Sequence, residues 1–345
     1  MTAAELMDMA RESGFELAGI ATAGYVPNSE HYLDWVSRGL AGEMKYLTDE
    51  RAQKRGDVRS LLPSAKSILV VGKLYNTAEP YSTTMNMDGR GWISRYAWTH
   101  DYHLTMKRSL TALAEAVAAL TACDYKVCVD TAPLLERSLA RQAGLGWIGK
   151  NTCLINEGQG SWFFLGEILL SLELETGIAP ADRCGTCTRC IDACPTKAIV
   201  PVENPAGPRY ELDSRLCISY FTIELRGPIP EPMRPALGQH IFGCDICQDV
   251  CPWNRKAPVT ADPAFHPKHV APSLDKMAAL SPEDFKQSFR DTPVERARYR
   301  GFLRNVAVAM GNSGNKEFEE PLRVLASHED EVVREHAEWG LTRLA

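Results

Sequence analysis

The chain has 345 residues, of which 45% are hydrophobic and 24% charged, and carries a formal net charge of −6. That length is enough for two or three domains with cores of their own, and the composition is that of an ordinary soluble globular protein. The acidic balance gives a nucleic-acid partner no purchase except through a local basic patch, and no apolar run is long enough to span a membrane.

The opening MTAAELMDMARESGFELAGI reads as an amphipathic helix running into a strand, LAGIAT at 17–22. It lacks a basic n-region, an apolar h-region and a twin arginine, so no export signal is expected and the protein is placed in the cytoplasm. The basic stretch before Pro63 reads as a solvated helical face. SILVVGKLY (67–75) is a short apolar run between Pro63 and Asn76, a buried strand. A polar connection with Pro80 and Gly89 leads into ISRYAWTHDYH (93–103), and apolar residues at helical spacing predict one long helix from Tyr102 to Ala122. YKVCVD (125–130) is the next strand and ends on Asp130. Pro133 then opens a helix that runs through LLERSLARQA to Gly144.

LGWIGKNTCLI and EGQGSWFFLGEILLSLEL alternate glycine-rich turns with apolar, aromatic and β-branched strands. This pattern predicts a sheet edge that presents backbone N–H and C=O groups to something large. Strands alternating with helices make residues 1–177 an α/β domain. From Ser281 the pattern is helical, with turns at Gly311–Gly314 and His328–Asp330, so 259–345 is a helical domain resembling a HEAT-type repeat. One such unit cannot bury its apolar face alone and must dock on the rest of the protein.

Between these parts, at 178–258, lie two cysteine runs. Cys184, Cys187, Cys190 and Cys194 with Pro195 follow the C-x2-C-x2-C-x3-C-P spacing of bacterial ferredoxins, in which three thiolates hold one [4Fe–4S] cluster and the fourth crosses to a second. Cys244, Cys247 and Cys251 with Pro252 repeat the motif, but Ile241 stands where its first cysteine belongs. Two clusters need eight thiolates and the runs supply seven. Cys217, carried on a long proline-bearing insertion, fills the vacancy. The first cluster then takes Cys184, Cys187, Cys190 and Cys251, and the second takes Cys194, Cys217, Cys244 and Cys247. Structural zinc is the competing use of paired C-x2-C units, but zinc does not ask for this compact spacing. Pro228, Pro230, Pro232 and Pro235 mark part of the insertion as extended loop.

Two clusters form a wire, so they must feed electrons to something. No dinucleotide fingerprint with its acidic residue, P-loop, G-x-S-x-G or HExxH supplies an acceptor. Asp130, at a strand end, could donate a proton or simply cap the following helix. Cys123, Cys128 and Cys153 fall outside the ligand count and read as packing, and His100 and His103 as structural. Arg290, Arg296, Arg298, Arg300 and Arg304 form a basic patch able to meet phosphates, or a solvated helix face.

Over nearly its full length the chain resembles the epoxyqueuosine reductases, cobalamin-dependent iron–sulfur enzymes of tRNA modification. The resemblance runs through ISRYAWTHDYH, VDTAPLLERSLARQAGLGWIGKNT, GSWFFLGE, both cysteine runs, CISYFTIELRGPIP and IFGCDICQDVCPWN. It implies reduction of the epoxide of epoxyqueuosine, at the wobble position of a tRNA anticodon loop, to queuosine. The electrons would come from an external donor through two [4Fe–4S] clusters to cobalamin, in a monomer. By position it implies Asp130 as the proton donor and Arg55, Ser94, Asp130, Leu154, Leu165, Ser219, Asp245 and Ile246 as cobalamin contacts, several through backbone atoms. Arg226, Arg296, Arg298, Arg300 and Arg304 become tRNA contacts. No D-x-H-x-x-G motif offers a histidine to cobalt. Reductive dehalogenases share this cofactor set, but they carry a twin-arginine signal and lack the C-terminal helices.

Overall fold

The computed structural model describes residues 1–202 and 210–345. The part of the insertion at 203–209 lies outside the described residues. LAGIAT forms strand β1 (Leu17–Thr22) and SILVVGKL forms β2 (Ser67–Leu74), buried along its whole length. YKVC forms β3 (Tyr125–Cys128) and FFLGEILL forms β4 (Phe163–Leu170). The four pair in the order β1-β2-β4-β3, and every pairing is antiparallel.

Side chains alternate across a strand. Leu69 and Val71 therefore join one core with α1 (Ala3–Glu12) and α2 (Tyr102–Leu120), through Leu6, Ala10, Leu110, Leu113 and Val117. Ile68 and Val70 point the other way, to Leu139 and Ala140 of α3 (Glu136–Gln142). Helices thus cover both faces, which is why β2 reads as a continuous apolar run although its neighbours are antiparallel. The helix expected from Pro133 starts only at Glu136, because 130–135 form the turn that carries Asp130.

The cysteine-rich region holds two short helices, α4 (Arg189–Ala193) and α5 (Ile246–Asp249). After Cys217 the backbone winds into a single π-helical turn, Tyr220–Glu224. The proline-rich part that the sequence marks as extended instead forms a 3-10 helix at Glu231–Leu237. Pro232 stands in its first turn, where a missing N–H costs nothing.

At the C-terminus, α6 (Arg298–Ser313) packs along α8 (Glu331–Leu344), with α7 (Glu319–Leu325) between them in sequence. Gly311 permits the close crossing: a Cβ there would stand 2.6 Å from Gly340 Cα. These helices do dock on the rest of the chain. Phe302, Val306 and Met310 of α6 share one apolar cluster with Trp92, Ile93, Trp98 and Phe242. Each such buried side chain contributes about 1.5–3 kcal/mol to holding the contact.

Candidate redox and active site

The glycine-rich segment after α3 reaches the cysteines. Gly144, Gly146 and Gly149 spell the letters of a dinucleotide fingerprint, but they lead into a strand, Trp147–Ile148, and not into a helix. Here they serve close packing, since a Cβ on Gly146 would lie 2.2 Å from the Ile155 carbonyl oxygen. Trp147 and Ile155 then cluster with Cys184, Cys251 and Trp253. The next residues hold the cysteine loops by their backbones. Lys150 Nζ donates to the carbonyls of Gly185 (2.8 Å) and Cys187 (2.9 Å), and Asn151 Nδ2 to that of Cys247 (3.4 Å).

The thiols fall into two neighbourhoods. Burial pushes the Cys190 thiol up to about 11, and Cys251, Cys184 and Cys187 add to the rise as neighbouring charges. Burial likewise holds Cys244 well above the usual thiol range, with Cys217 and Cys194 contributing. Cys247 is raised by its hydrogen bond with Cys153, by burial, and by the charges of Cys153, Cys244 and Cys217. One neighbourhood thus holds Cys184, Cys187, Cys190 and Cys251, and the other Cys194, Cys217, Cys244 and Cys247. Cys153, read from sequence as packing, lies against the second.

Asp245, between Cys244 and Cys247, ties this module to the α/β part. It is 1% exposed and accepts from Ser94 Oγ (2.5 Å), the Arg95 backbone N–H (2.7 Å) and Trp92 Nε1 (3.1 Å). The side chains of Ser94 and Asp245 are therefore engaged with one another, and a ligand would meet this corner through backbone atoms. Leu154 is buried, while Leu165, Ser219 and Ile246 are partly exposed. Arg55 is 6% exposed; its Nη2 reaches the Tyr46 carbonyl at 3.3 Å, while Nη1 is buried with no partner among the described residues. A buried, charged donor without an acceptor is costly, and an acceptor-rich group such as a corrin amide would satisfy it.

Asp130 sits two residues beyond β3 at φ +46°. For a residue with a Cβ that backbone costs about 1 kcal/mol or more. Its N–H donates to Glu136 Oε1 at 2.6 Å, and its Oδ2 meets His103 Nε2 at 3.1 Å. His103 Nδ1 in turn lies 2.6 Å from Asp101 Oδ1, and its ring stacks on Tyr102 at 4.3 Å. Burial acts to lower the His103 pKa, but the hydrogen bonds to Asp101 and Asp130 prevail and hold it up at about 9. At neutral pH His103 is protonated against Asp130. Sequence reasoning missed this role; the signal was the D-Y-H spacing, which lets Asp101 cap α2 and orient His103 together.

A cleft of about 830 Å3 opens nearby, lined by Tyr46, Glu224, Arg226, Glu295, Arg296 and Arg298. The charge of Asp130 reaches Tyr46 and Arg296, which line the cleft, and Tyr96. The arginines differ in kind. Arg296 is bound to Glu224 (2.6 and 3.1 Å), Arg226 donates to the Arg296 carbonyl (2.8 Å), and Arg300 to the Arg226 carbonyl (2.7 Å). Arg298 is exposed. Arg304 does not belong to the patch: it is 1% exposed, with its guanidinium on the carbonyls of Phe221 (2.5 Å), Leu225 (3.0 Å) and Gly227 (2.6 Å). Its place on the core-facing side of α6 withdraws it from any tRNA.

Two sets of four thiols, one tied by Asp245 to the Trp92–Arg95 segment of an α/β part that also carries an acid at a strand end, define a double-cluster iron–sulfur oxidoreductase. The profile of the 4Fe-4S double cluster binding domain matches residues 183–254, and that of epoxyqueuosine reductase QueG matches 55–131. The epoxyqueuosine reductase of Xanthomonas campestris pv. campestris is 41% identical over 99% of this chain and 96% of its own. A crystal structure of epoxyqueuosine reductase with an epoxyqueuosine-modified tRNA-Tyr stem loop superposes with a TM-score of 0.89 at 27% identity, covering 99% of this chain and 89% of that one. The Bacillus subtilis reductase, solved with its catalytic aspartate loop swung out of the active site, gives 0.87 at 26% identity, covering 99% and 90%. The chain belongs to the epoxyqueuosine reductase family.

Proposed function

We propose that this chain reduces the epoxide of epoxyqueuosine in tRNA to the alkene of queuosine, with release of water. The reaction consumes two electrons and two protons, and the epoxide oxygen leaves as the water. Asp130, held beside protonated His103 and within electrostatic reach of Tyr46 and Arg296 of the 830 Å3 cleft, is the observation that carries this reading.

When bound, the two [4Fe–4S] clusters and cobalamin supply the electrons. Cys184, Cys187, Cys190 and Cys251 would hold the first cluster, and Cys194, Cys217, Cys244 and Cys247 the second. Arg55, Ser94, Leu154, Leu165, Ser219, Asp245 and Ile246 would hold cobalamin. The buried Nη1 of Arg55, unpartnered among the described residues, supports a ligand there. Breaking the epoxide ring leaves negative charge on oxygen, which must be protonated before it can leave. His103 Nε2 stores a proton at neutral pH and shares it with Asp130 Oδ2, and Asp130 presents it to the oxygen. The Bacillus subtilis relative was solved with its catalytic loop swung out of the active site, and here the loop that carries Asp130 swings to admit the base. Arg298, Arg300, Arg226 and Arg296 at the rim meet the phosphates of the anticodon stem loop, Arg296 after exchanging Glu224 for phosphate. The C-terminal helices are a HEAT-like unit that backs this rim.

The test is turnover of epoxyqueuosine-bearing tRNA by purified protein with a low-potential reductant. Asp130→Asn is expected to lower turnover about 10²- to 10⁴-fold while iron and corrinoid content stay unchanged. Turnover at the wild-type rate in this variant would leave Asp130 with a structural role only, as the partner of His103. Full activity in protein stripped of cobalamin would remove cobalamin from the mechanism.

A further inference from the structure

Beneath the Asp130 loop lies a carboxyl group that the chemistry above does not use. Glu167 is on β4, opposite Cys128 of β3, and is 0% exposed. Neither of its oxygens meets a hydrogen-bond donor among the described residues. The groups that face it are acids, the Glu136 carboxyl first and Asp130 behind it, with the Cys128 thiol alongside. An ionised carboxylate in such a place is far too costly, so Glu167 keeps its proton. A protonated carboxyl is a donor, and Glu136 is the acceptor within its reach.

Glu136 stands at the start of α3 and is partly buried. Its Oε1 takes the N–H of Asp130 at 2.6 Å, across the residue whose φ of +46° needs outside support. We infer that Glu136 and Glu167, sharing one proton, form the latch that holds the Asp130 loop in its closed position. The pair bonds the backbone of Asp130 while His103 bonds its side chain, so the carboxylate is held from both ends. Burial, and then the Asp130 charge, push the Glu136 carboxyl up to about 7, while the Asp130 N–H and Arg137 act against the rise. Glu136 is the member that ionises first, so the arrangement that holds Asp130, a protonated Glu167 donating to the Glu136 carboxylate, assembles as pH rises through about 7. Glu136 and Glu167 are positioning residues; neither needs to touch substrate. The inference rests on Asp130 being the proton donor only for its consequence in turnover, not for the latch itself.

Hydrogen exchange measured by mass spectrometry on peptides covering 129–133 tests it, in protein loaded with both clusters and without substrate. Glu136→Ala is expected to raise exchange there about tenfold, corrected for intrinsic rates, with Glu136→Gln close to wild type because its amide still accepts from Asp130. In wild type the protection grows as pH rises from about 6 to about 8, because the Glu136 carboxylate accepts more strongly than the neutral carboxyl. In Glu167→Leu, which takes the donor away from Glu136, that growth is displaced to higher pH; any loss from His103 is common to both and cancels. Equal exchange in Glu136→Ala and wild type, or the same pH dependence in Glu167→Leu and wild type, would overturn the latch. Should the loop open in Glu136→Ala while turnover is unaffected, the latch stands and the assignment of Asp130 as proton donor is what fails.

Discussion

Replacing Arg304 by alanine separates a structural arginine from an RNA-binding one. Its guanidinium is enclosed and satisfies three carbonyls, those of Phe221, Leu225 and Gly227, and it also bonds Asn305 Oδ1 at 2.9 Å. Asn305 continues the arrangement by donating to the Thr222 and Ile241 carbonyls at 2.8 and 2.9 Å. All of this holds the π-helical turn that follows Cys217. Each carbonyl left without its donor costs about 1–3 kcal/mol, and the three share one donor group, so the loss comes to roughly 3–5 kcal/mol. Burial, with Arg226, Arg300 and Arg234 adding, lowers the Arg304 pKa to about 9, so the group is still charged at pH 7 and its hydrogen bonds are charge-assisted. Arg304→Ala should therefore lower the urea midpoint followed by tryptophan fluorescence, at unchanged slope. The salt dependence of tRNA affinity should stay as in wild type for the protein that remains folded. A variant of wild-type stability whose salt slope falls by about one unit would refute the reasoning and return Arg304 to the RNA.

Arg298→Ala should do the reverse, reducing the salt slope of tRNA binding by about one while moving stability by no more than about 0.5 kcal/mol. Cys217→Ser should cut iron from about eight to about four atoms per chain and bleach the matching share of the visible absorbance; undiminished iron would show that the eighth ligand is elsewhere. The His103–Asp130 pair gives a pH dependence of defined sign. The folded pKa, about 9, lies above the ordinary 6.5, so the stability it adds is fully present below about 6.5 and is lost as pH rises through 9. The gap in unfolding midpoint between wild type and His103→Gln should be widest near pH 6 and close by about pH 10; a gap that does not narrow would rule out the ion pair.

The double-cluster module was legible because ligand spacing along one loop is a local property. Three thiols of a C-x2-C-x2-C run reach one cluster whatever surrounds them, and a vacancy in the second run demands an outside residue. The strands were legible for a similar reason, since Leu17–Thr22 and Ser67–Leu74 are continuous apolar runs between clear breaks. Their pairing was not: alternation of helix and strand says nothing of strand direction, and all three pairings are antiparallel.

What the sequence alone determined is therefore the identity of the chemistry, through cysteine spacing and extended family motifs. What only the tertiary structure decided is which charged groups are available to it. Arg296, Arg298, Arg300 and Arg304 look alike within one basic run, yet Arg304 points into the core because α6 turns that face inward, while Arg298 stays in solvent. His103 and Glu136 lie 27 and 6 residues from Asp130 and carry no motif that names them as its partners. Glu167 is ordinary in a strand until β3 and a helix close over it. Burial and partner choice arise from contacts distant in sequence, and those contacts fix the charge on each group.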